Sequence, residues 1–148
     1  MEIEKINYDV LIVGAGPSGL SAAIKLKQLA SENNQDISVC VVEKASQIGG
    51  HTLSGAVIDV TSLTELLPNW KNANPPIVTS VTKDNFFYFT KKSALKIPNF
   101  LLPNTLTNKN HFVVSLSEVV KWMGEIAEKL GVDIFTGYSA KNLSLIHI

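Results

Sequence analysis

The fold is decided by Tyr8-Asp-Val-Leu-Ile-Val-Gly-Ala-Gly-Pro-Ser-Gly19, a helical run to Ala30, and Ser38-Val-Cys-Val-Val-Glu43. This order predicts a strand, a glycine turn, a helix and a second strand that ends in an acid. Val10–Val13 is an apolar run without alternation, which is typical of a parallel strand buried on both faces. The stretch therefore predicts the half of a Rossmann-type α/β fold that binds an adenine dinucleotide.

Each position of the glycine turn suits a bound pyrophosphate. Gly14 permits a sharp exit from the strand, Gly16 has no Cβ to hold the ligand away, and Gly19 lets the helix lie close to the sheet. Pro17 fits the first helical turn, where free N–H groups such as that of Ser18 meet the phosphate at the positive end of the helix dipole. Helical spacing predicts an apolar stripe of Leu20, Ala23, Ile24 and Leu29.

Glu43 lies 24 residues after Gly19. A carboxylate at this place accepts hydrogen bonds from the hydroxyls of an adenosine ribose and disfavours the 2′-phosphate of NADP. After Lys44, a glycine pair follows where two-domain flavoproteins of the glutathione-reductase type pass under FAD. In a simple NAD domain the chain would instead continue from the second strand into a crossover helix. The alternative interpretation of the glycine pair is a flexible turn without a role in binding. This segment is Gly49, Gly50, His51 and Thr52.

Composition excludes several classes of protein. The 148 residues carry 13 basic and 13 acidic side chains, so there is no basic footprint for nucleic acid. The single cysteine, Cys40, lies within the second strand, which predicts a buried structural thiol and excludes an internal disulfide or a four-cysteine metal site. No apolar run is long enough to span a membrane, and the acidic start resembles neither a signal nor a transit peptide.

The middle of the chain is predicted to leave this unit. Asp59–Leu67 is expected to form a short helix capped by Thr61 or Ser62, with Trp70 anchoring the segment to the core. The breaker at 72–76 then leads into a second domain, in which Phe86–Phe89 is a strand. The following stretch, 91–103, is either a loop packed on its own domain or a hairpin whose apolar tip enters a lipid interface.

The chain then returns to helix and strand. His111–Val114 is predicted to be a strand, and Ser115 and Glu118 have the spacing of a capping box. Gly131 is expected to end the helix, before a strand that begins at 132. The predicted buried face of the helix consists of Val119, Val120, Met123, Ile126, Ala127 and Leu130.

The last six residues, Leu143-Ser-Leu-Ile-His-Ile148, are the translation of a common transposase sequencing adapter. They predict a non-native tail on an interrupted reading frame, and a native terminal strand is the alternative. The expected organisation is a dinucleotide-binding unit at 1–75, the start of a second domain at 76–114, a return to the first domain at 115–142, and the tail at 143–148.

With these residues in view, the chain resembles the electron-transfer flavoprotein–ubiquinone oxidoreductase family. The glycine-rich start is generic for FAD proteins, whereas His51-Thr-Leu-Ser-Gly55 and Val120-Lys-Trp-Met-Gly124 are more specific. Ser93-Ala-Leu-Lys-Ile-Pro-Asn-Phe-Leu-Leu-Pro103 matches as well. The resemblance covers residues 8 to about 142, which would be roughly the first quarter of a family member.

The resemblance implies a monotopic membrane enzyme with FAD and one [4Fe–4S] cluster, passing electrons from reduced electron-transfer flavoprotein to ubiquinone. By resemblance, Gly14, Gly16, Gly19 and Glu43 hold the ADP half of FAD, and the segment from Gly50 lies nearer the flavin. The stretch 86–103 would contribute to the membrane and quinone side. Its predicted contact residues are Phe87, Phe89, Ile97, Phe100, Leu101 and Leu102.

Flavin chemistry of this kind requires no nucleophile or acid–base pair from this segment, so no catalytic residue is nominated. Because Cys40 is the only cysteine, the cluster ligands would lie elsewhere in a full-length protein, and this chain alone is expected to be inactive. The expected location is the cytoplasmic face of a bacterial inner membrane. The alternatives are another FAD-dependent reductase or hydroxylase of the same fold, or a non-catalytic dinucleotide-binding remnant.

Overall fold

The computed structural model describes residues 5–141. They form two compact units, one from the residues up to Ser54 and from Ser115 onward, the other from Gly55–Val114. The helices are α1 Pro17–Glu32, α2 Thr61–Leu66 and α3 Leu116–Lys129. The strands are β1 Val10–Val13, β2 Val39–Glu43, β3 Ala56–Ile58, β4 Thr79–Ser80, β5 Phe86–Phe89, β6 Ala94–Ile97, β7 Phe112–Val114 and β8 Val132–Thr136.

The first unit is built on a three-stranded parallel sheet in the order β1-β2-β8. Val39 of β2 lies opposite Val10 on one side and Val132 on the other. The sequence β1-α1-β2 is the βαβ unit that the glycine motif predicts, and no helix follows β2 before the second unit begins. Because the strands are parallel, their carboxyl ends share one edge of the sheet, beside the start of α1.

The core of the first unit lies between this sheet and the helices α1 and α3, which also contact each other. Its fully buried side chains come from β2 and from both helices, as the helical spacing predicts. Gly131 ends α3 with a positive φ of 82°, and its N–H donates to the Glu128 carbonyl. The buried residues include Leu20, Ala23, Ile24, Val39, Val41, Val119, Val120, Met123 and Ala127.

The expectation that β1 is buried on both faces is wrong. Ile12 faces α1, but Leu11 and Val13 are 54% and 53% exposed. Successive side chains of a strand point to opposite faces, and among the described residues the helices cover only one face. The other face borders an apolar groove of about 410 Å³, lined by Ile6, Asn7, Tyr8, Leu11, Cys40, Val42, Phe135 and Tyr138.

Three residues of the predicted helix faces are not buried. Leu29 is exposed and Ala30 is buried in its place, because Ala30 lies nearly two full turns after the buried Ala23, whereas Leu29 lies about 140° around the helix from Ile24. Ile126 is only half-buried, and Leu130 is exposed because it lies just beyond the end of α3.

The second unit has a small antiparallel sheet in the order β3-β7-β4. Trp70, which is 3% exposed, packs edge-on against Phe112 of β7 with ring centroids 6.2 Å apart. Its Nε1–H donates to Thr64 Oγ1 of α2 over 3.0 Å. Trp70 therefore anchors this segment, but within the second unit and not in the core of the dinucleotide-binding unit to which the segment was assigned.

Side-chain caps differ from the expectation at two helices. Neither Thr61 nor Ser62 caps α2; instead, the Asp59 carboxylate accepts from the N–H and hydroxyl of Thr61. Ser115 is at the N-cap of α3, but its side chain makes no capping hydrogen bond. The Glu118 carboxylate oxygen Oε1 lies 3.9 Å from Lys121 Nζ instead. The capping box does not form because the Ser115 hydroxyl bonds those of Ser54 and Ser117.

The stretch after residue 85 is a hairpin, not an irregular loop. β5 pairs with β6 in antiparallel register, with Phe87 opposite Lys96 and Phe89 opposite Ala94. A short 3-10 turn at Asn99–Leu101 follows. The expected apolar tip is wrong, because the tip at 90–93 is Thr-Lys-Lys-Ser, closed by the Thr90 N–H bond to the Ser93 carbonyl.

The division between the two units lies at Ser54 and Gly55, earlier in the chain than the expected boundary at residue 75. The reason is that β3 pairs with β7 and that Trp70 packs on Phe112, so the segment 55–75 belongs to the second unit. The other division between the compact units lies between Val114 and Ser115. The predicted non-native tail at 143–148 lies outside the described residues.

Candidate functional site: an adenine-dinucleotide cradle

The glycine turn and the start of α1 form one wall of the candidate site. Gly14 has a φ of +102° and donates its N–H to the Val42 carbonyl over 2.7 Å, which ties the turn to β2. Pro17 begins the helix. Within residues 5–141, the N–H groups of Ser18 and Gly19 have no hydrogen-bond acceptor. These donors, at the positive end of the helix dipole, suit a phosphate.

The other two glycines of the motif have different surroundings. A Cβ on Gly19 would lie 2.0 Å from the Gly14 carbonyl oxygen, so only glycine lets α1 approach the turn. A Cβ on Gly16 would meet nothing within 4 Å, and Gly16 has an ordinary extended conformation with φ −81°. The open space at Gly16 is therefore available to a ligand, and this is the result expected of a pyrophosphate site.

Glu43 is held at the adjacent end of β2 by two backbone amides. Its Oε2 accepts from the Ala15 N–H and its Oε1 from the Ala45 N–H, each over 2.8 Å. The Ala45 N–H contributes most to lowering the pKa of Glu43; the Ala15 N–H and the His51 charge act in the same direction, while burial opposes them. An ionised carboxylate with free lone pairs is thus fixed beside the glycine turn, where it can accept from ribose hydroxyls.

The segment after Glu43 continues along the same unit. Lys44 and His51 are exposed, and Thr52 donates its N–H to the Gly49 carbonyl over 3.0 Å. Gly49 has a φ of +78°, and a Cβ there would lie 2.6 Å from the Ser117 carbonyl oxygen at the start of α3. Gly50 lies in the same turn, with its N–H bonded to the Gln47 carbonyl. Gly49 therefore allows this turn to pack closely against the start of α3, independently of any ligand.

The sequence did not single out the groups that position Glu43 and Gly49. Ala15 and Ala45 act through backbone N–H groups, and Ser117 through its backbone carbonyl, so their side chains carry no signal. The glycine spacing was the available signal for Ala15, because the residue between two motif glycines must lie in the turn. Position 45 offered none.

The part of the chain that the structure describes offers no side-chain cluster suited to a metal. Cys40 is its only cysteine, and the thiol is 3% exposed within β2. Burial raises its pKa, with a smaller contribution from Asp133. Residues 5–141 contain no group of three His, Cys, Asp or Glu side chains able to hold a metal ion. A [4Fe–4S] cluster does not fit the side chains of this chain.

The residues predicted for the membrane side all lie in the second unit. Phe87 and Phe89 share one face of the hairpin, with ring centroids 6.1 Å apart, and Phe89 is 74% exposed. Phe100 and Leu101, in the 3-10 turn, are 82% and 65% exposed, whereas Ile97 and Leu102 are half-buried. No helix within the described part of the chain could cross a bilayer.

The sequence matches a known domain family and a set of curated relatives. The family described as NAD(P)-binding Rossmann-like domain matches residues 12–74. The relative from Arabidopsis thaliana, electron transfer flavoprotein-ubiquinone oxidoreductase, mitochondrial, is 51% identical over 140 residues, which are 95% of this chain and 21% of the relative. The Pseudomonas aeruginosa protein of that name is 49% identical over 142 residues, with 95% and 26% covered.

Solved structures with the same fold are more distant in sequence. A 2-methyl-3-hydroxypyridine-5-carboxylic acid oxygenase has a TM-score of 0.57 at 22% identity, over 91% of this chain and 33% of that chain. A geranylgeranyl bacteriochlorophyll reductase-like protein from Thermoplasma acidophilum has a TM-score of 0.56 at 19% identity, with 88% and 30% covered. These likenesses confirm the Rossmann-type α/β fold.

The relatives also settle the resemblance seen in the sequence. A third, from Rattus norvegicus, carries the same name as the Arabidopsis protein and is 53% identical over 133 residues, or 89% of this chain. The chain spans 21–26% of the length of these three relatives. Over nearly all of its length, the chain is thus homologous to the amino-terminal part of the electron transfer flavoprotein-ubiquinone oxidoreductases, which are oxidoreductase enzymes by name.

Proposed function

We propose that the first unit binds the ADP half of FAD. The observation that carries this proposal is the arrangement at one sheet edge of an open glycine turn, unpaired helix N–H groups and a fixed, ionised Glu43. These groups complement a pyrophosphate and a ribose that lie side by side, as they do in the ADP half of an adenine dinucleotide. Identity of about 50% to relatives named electron transfer flavoprotein-ubiquinone oxidoreductase, the family whose FAD motif the sequence resembles, supports FAD as that dinucleotide.

Each predicted residue has a role in this proposal. The pyrophosphate lies against Gly16 and accepts from the N–H groups of Ser18 and Gly19, while Gly14 and Pro17 shape the turn. Glu43 accepts from the ribose hydroxyls, and Lys44 lies at the rim of the ribose site. The segment Gly49, Gly50, His51 and Thr52 runs toward the flavin.

We propose further that the chain belongs to an enzyme that passes electrons from reduced electron-transfer flavoprotein to ubiquinone. FAD, when bound, supplies the redox chemistry, so the chain's own residues bind and orient it without a nucleophile or an acid–base pair. The names of the relatives support both partners. Because the chain spans about a quarter of their length, we expect it to be inactive in quinone reduction by itself.

The second unit begins the membrane and quinone side in this proposal. The exposed aromatic and aliphatic residues of the hairpin and its 3-10 turn support peripheral attachment to a bilayer. The location proposed is the cytoplasmic face of a bacterial inner membrane, consistent with the bacterial relatives. A [4Fe–4S] cluster, if present in the longer protein, takes its ligands from other residues.

Titration of the 148-residue chain with FAD, followed by flavin fluorescence and calorimetry, tests the cofactor proposal. We expect saturable binding, competition by ADP, and weaker competition by NADP⁺ because Glu43 repels the 2′-phosphate. Gly16→Ala is the sharpest variant, since the added methyl enters open space in an unstrained backbone. It should weaken FAD by at least roughly tenfold, or about 1.4 kcal/mol, without changing the unfolding midpoint.

Matched controls separate ligand contact from general disturbance. Ala22→Ser adds one atom on the exposed face of α1, and Glu32→Gln removes one charge from its end; both should bind FAD as the parent does. Glu43→Gln should weaken FAD because it loses the ionised ribose acceptor. Unchanged FAD affinity in both Gly16→Ala and Glu43→Gln would contradict the proposed cradle.

The electron-transfer proposal requires a separate assay. Reduced electron-transfer flavoprotein and a soluble ubiquinone are mixed with the FAD-loaded chain, and quinone reduction is followed by absorbance. We expect no turnover from the chain alone, and turnover when the sequence that follows in the relatives is joined to it. Failure of the joined protein to accept electrons from that flavoprotein would overturn the assignment while leaving FAD binding intact.

A further inference from the structure

Positive charge is concentrated in the part of the chain that contains the hairpin. Residues 76–114 carry five lysines and one aspartate, a net charge of +4, whereas the rest of the chain carries eight lysines and twelve acids. Although the formal net charge of the whole chain is zero, this segment of 39 residues is cationic. Such a segment attracts anions even though the whole protein is uncharged.

Three of these lysines border two adjoining clefts in the second unit. One cleft, of about 460 Å³, is lined by Lys83, Lys96 and neighbouring polar groups; the other, of about 310 Å³, is lined by Lys83 and Lys109. Among the described residues, none of these three lysines forms an ion pair. The two clefts share Lys83, Asp84 and Asn99 in their walls.

Asp84 is the one acid in the walls of the clefts, and it is engaged elsewhere. Its Oδ2 accepts from the backbone N–H of Asn108 over 2.8 Å and from the Asn108 side-chain amide over 3.3 Å. Asn99 donates its own amide to the Asp84 carbonyl, which fixes the shared wall. Three lysines against one carboxylate leave the clefts with a net charge of +2, which suits a phosphodiester or a phosphate monoester.

The surroundings of the clefts favour a lipid over a free phosphate. Asn99, in both walls, is the first residue of the 3-10 turn that exposes Phe100 and Leu101. Lys96 shares its hairpin face with Phe87. Apolar side chains that reach the acyl boundary beside cations at headgroup depth form the arrangement of an interfacial anionic-lipid site.

We propose that the clefts formed by Lys83, Lys96 and Lys109 bind the headgroup phosphate of an anionic phospholipid while the Phe100–Leu101 turn contacts its acyl chains. This inference rests on the proposed membrane contact of the second unit. It assigns the headgroup contact to the open end of the hairpin and not to its tip, where Lys91 and Lys92 lie. A free phosphate compound presents the same anionic oxygens as a lipid headgroup, and competition and vesicle binding distinguish the two.

The test compares two double variants of equal charge in the full 148-residue chain. Lys83→Gln/Lys109→Gln removes two cleft lysines, and Lys91→Gln/Lys92→Gln removes the two tip lysines. Binding is measured by flotation with vesicles of phosphatidylcholine, with or without phosphatidylglycerol. We expect the cleft variant to lose roughly 25-fold in partition to the anionic vesicles, about fivefold per lysine, and the tip variant to lose much less.

The matched charges make the result decisive. If the tip variant loses as much as the cleft variant, a diffuse surface charge explains the binding and the cleft proposal is overturned. A parent chain that gains nothing from phosphatidylglycerol also overturns it. Circular dichroism of both variants should match that of the parent, and Lys83→Arg/Lys109→Arg, which keeps the charge, should restore binding even if the glutamine variant is partly misfolded.

Two further experiments distinguish a lipid headgroup from a free phosphate and test the membrane contact itself. Inorganic phosphate and glycerol phosphate are titrated against the isotope-labelled chain and followed by NMR shifts at residues 83, 99 and 109. If they bind at the clefts while the preference for anionic vesicles survives the cleft variant, the ligand is a free phosphate and the lipid assignment falls. Phe100→Ser/Leu101→Ser should weaken binding to neutral and anionic vesicles alike; if it does not, the membrane contact itself is wrong.

Discussion

The βαβ motif of the first unit and the β5-β6 hairpin of the second use apolar side chains in opposite ways. In the first, Leu20, Ile24 and Val41 are fully buried between the sheet and its helices. In the second, the hairpin carries a comparable density of aromatic and aliphatic residues, yet Phe89 and Leu95 remain exposed on opposite faces. A two-stranded hairpin has no layer of its own to cover either face.

The difference shows that apolar composition alone does not identify a core. A β-α-β unit brings its own covering helix, so the apolar residues of β2 become structural. The hairpin lacks such a partner among the described residues, so its apolar residues remain available for contact. Substitutions in the two units test this contrast directly.

Trp70→Ala should be the most damaging change in the second unit. It removes the ring that packs on Phe112 and the hydrogen bond to Thr64, and large-to-small changes of this kind cost about 3–5 kcal/mol. Chemical denaturation followed by circular dichroism measures the loss. Trp70→Phe, which retains an aromatic ring without the N–H, should lose less; equal losses would mean that packing does not anchor this segment.

Gly19→Ala should come next and should disrupt the first unit. Its Cβ would overlap the Gly14 carbonyl oxygen, a backbone atom that cannot move away freely, and overpacking of this kind costs roughly 3 kcal/mol. Gly16→Ala in the same turn is the control, with an expected change near zero. Similar unfolding midpoints for the two variants would contradict the different roles assigned to these glycines.

Glu43→Gln should destabilise the first unit by about 1–2 kcal/mol near neutral pH, because it weakens the two hydrogen bonds that backbone N–H groups donate to the charged carboxylate. The folded pKa of Glu43 lies below its unfolded value, so this stabilisation is complete above the unfolded pKa and is lost as the pH falls through the folded pKa. Urea midpoints of parent and variant should therefore converge on acidification. A gap that persists in acid would refute the electrostatic origin.

Phe89→Ser should change stability least, by less than about 0.5 kcal/mol, because the ring is exposed and covers no core. The same change should reduce binding to phosphatidylcholine vesicles, which flotation measures. A large loss of stability would show that the hairpin face is packed in solution, and would remove the contrast between the two units.

Much of the first unit follows from local sequence. The glycine spacing, the uninterrupted apolar strand and the terminal acid predict β1, α1 and β2, because each signal acts within a few residues. The spacing of apolar residues also predicts most of the buried face of α3. The prediction that Leu29 and Leu130 are buried is wrong, because an apolar residue one position out of phase with the helix, or beyond its end, does not face the core.

The tertiary structure decided what depends on distant neighbours. Which face of the β1-β2-β8 sheet is covered depends on α1, beside β1, and on α3, more than 100 residues further along the chain and in contact with β8. The register of β5 with β6 places Lys91 and Lys92, and not an apolar residue, at the tip of the hairpin. The amides of Ala15 and Ala45 that hold Glu43, and the carbonyl of Ser117 that requires Gly49, are backbone groups with no sequence signature. The nucleotide-binding motif can be read from the sequence because its geometry is local, whereas the way that motif is fixed and the choice of apolar residues that stay exposed depend on packing.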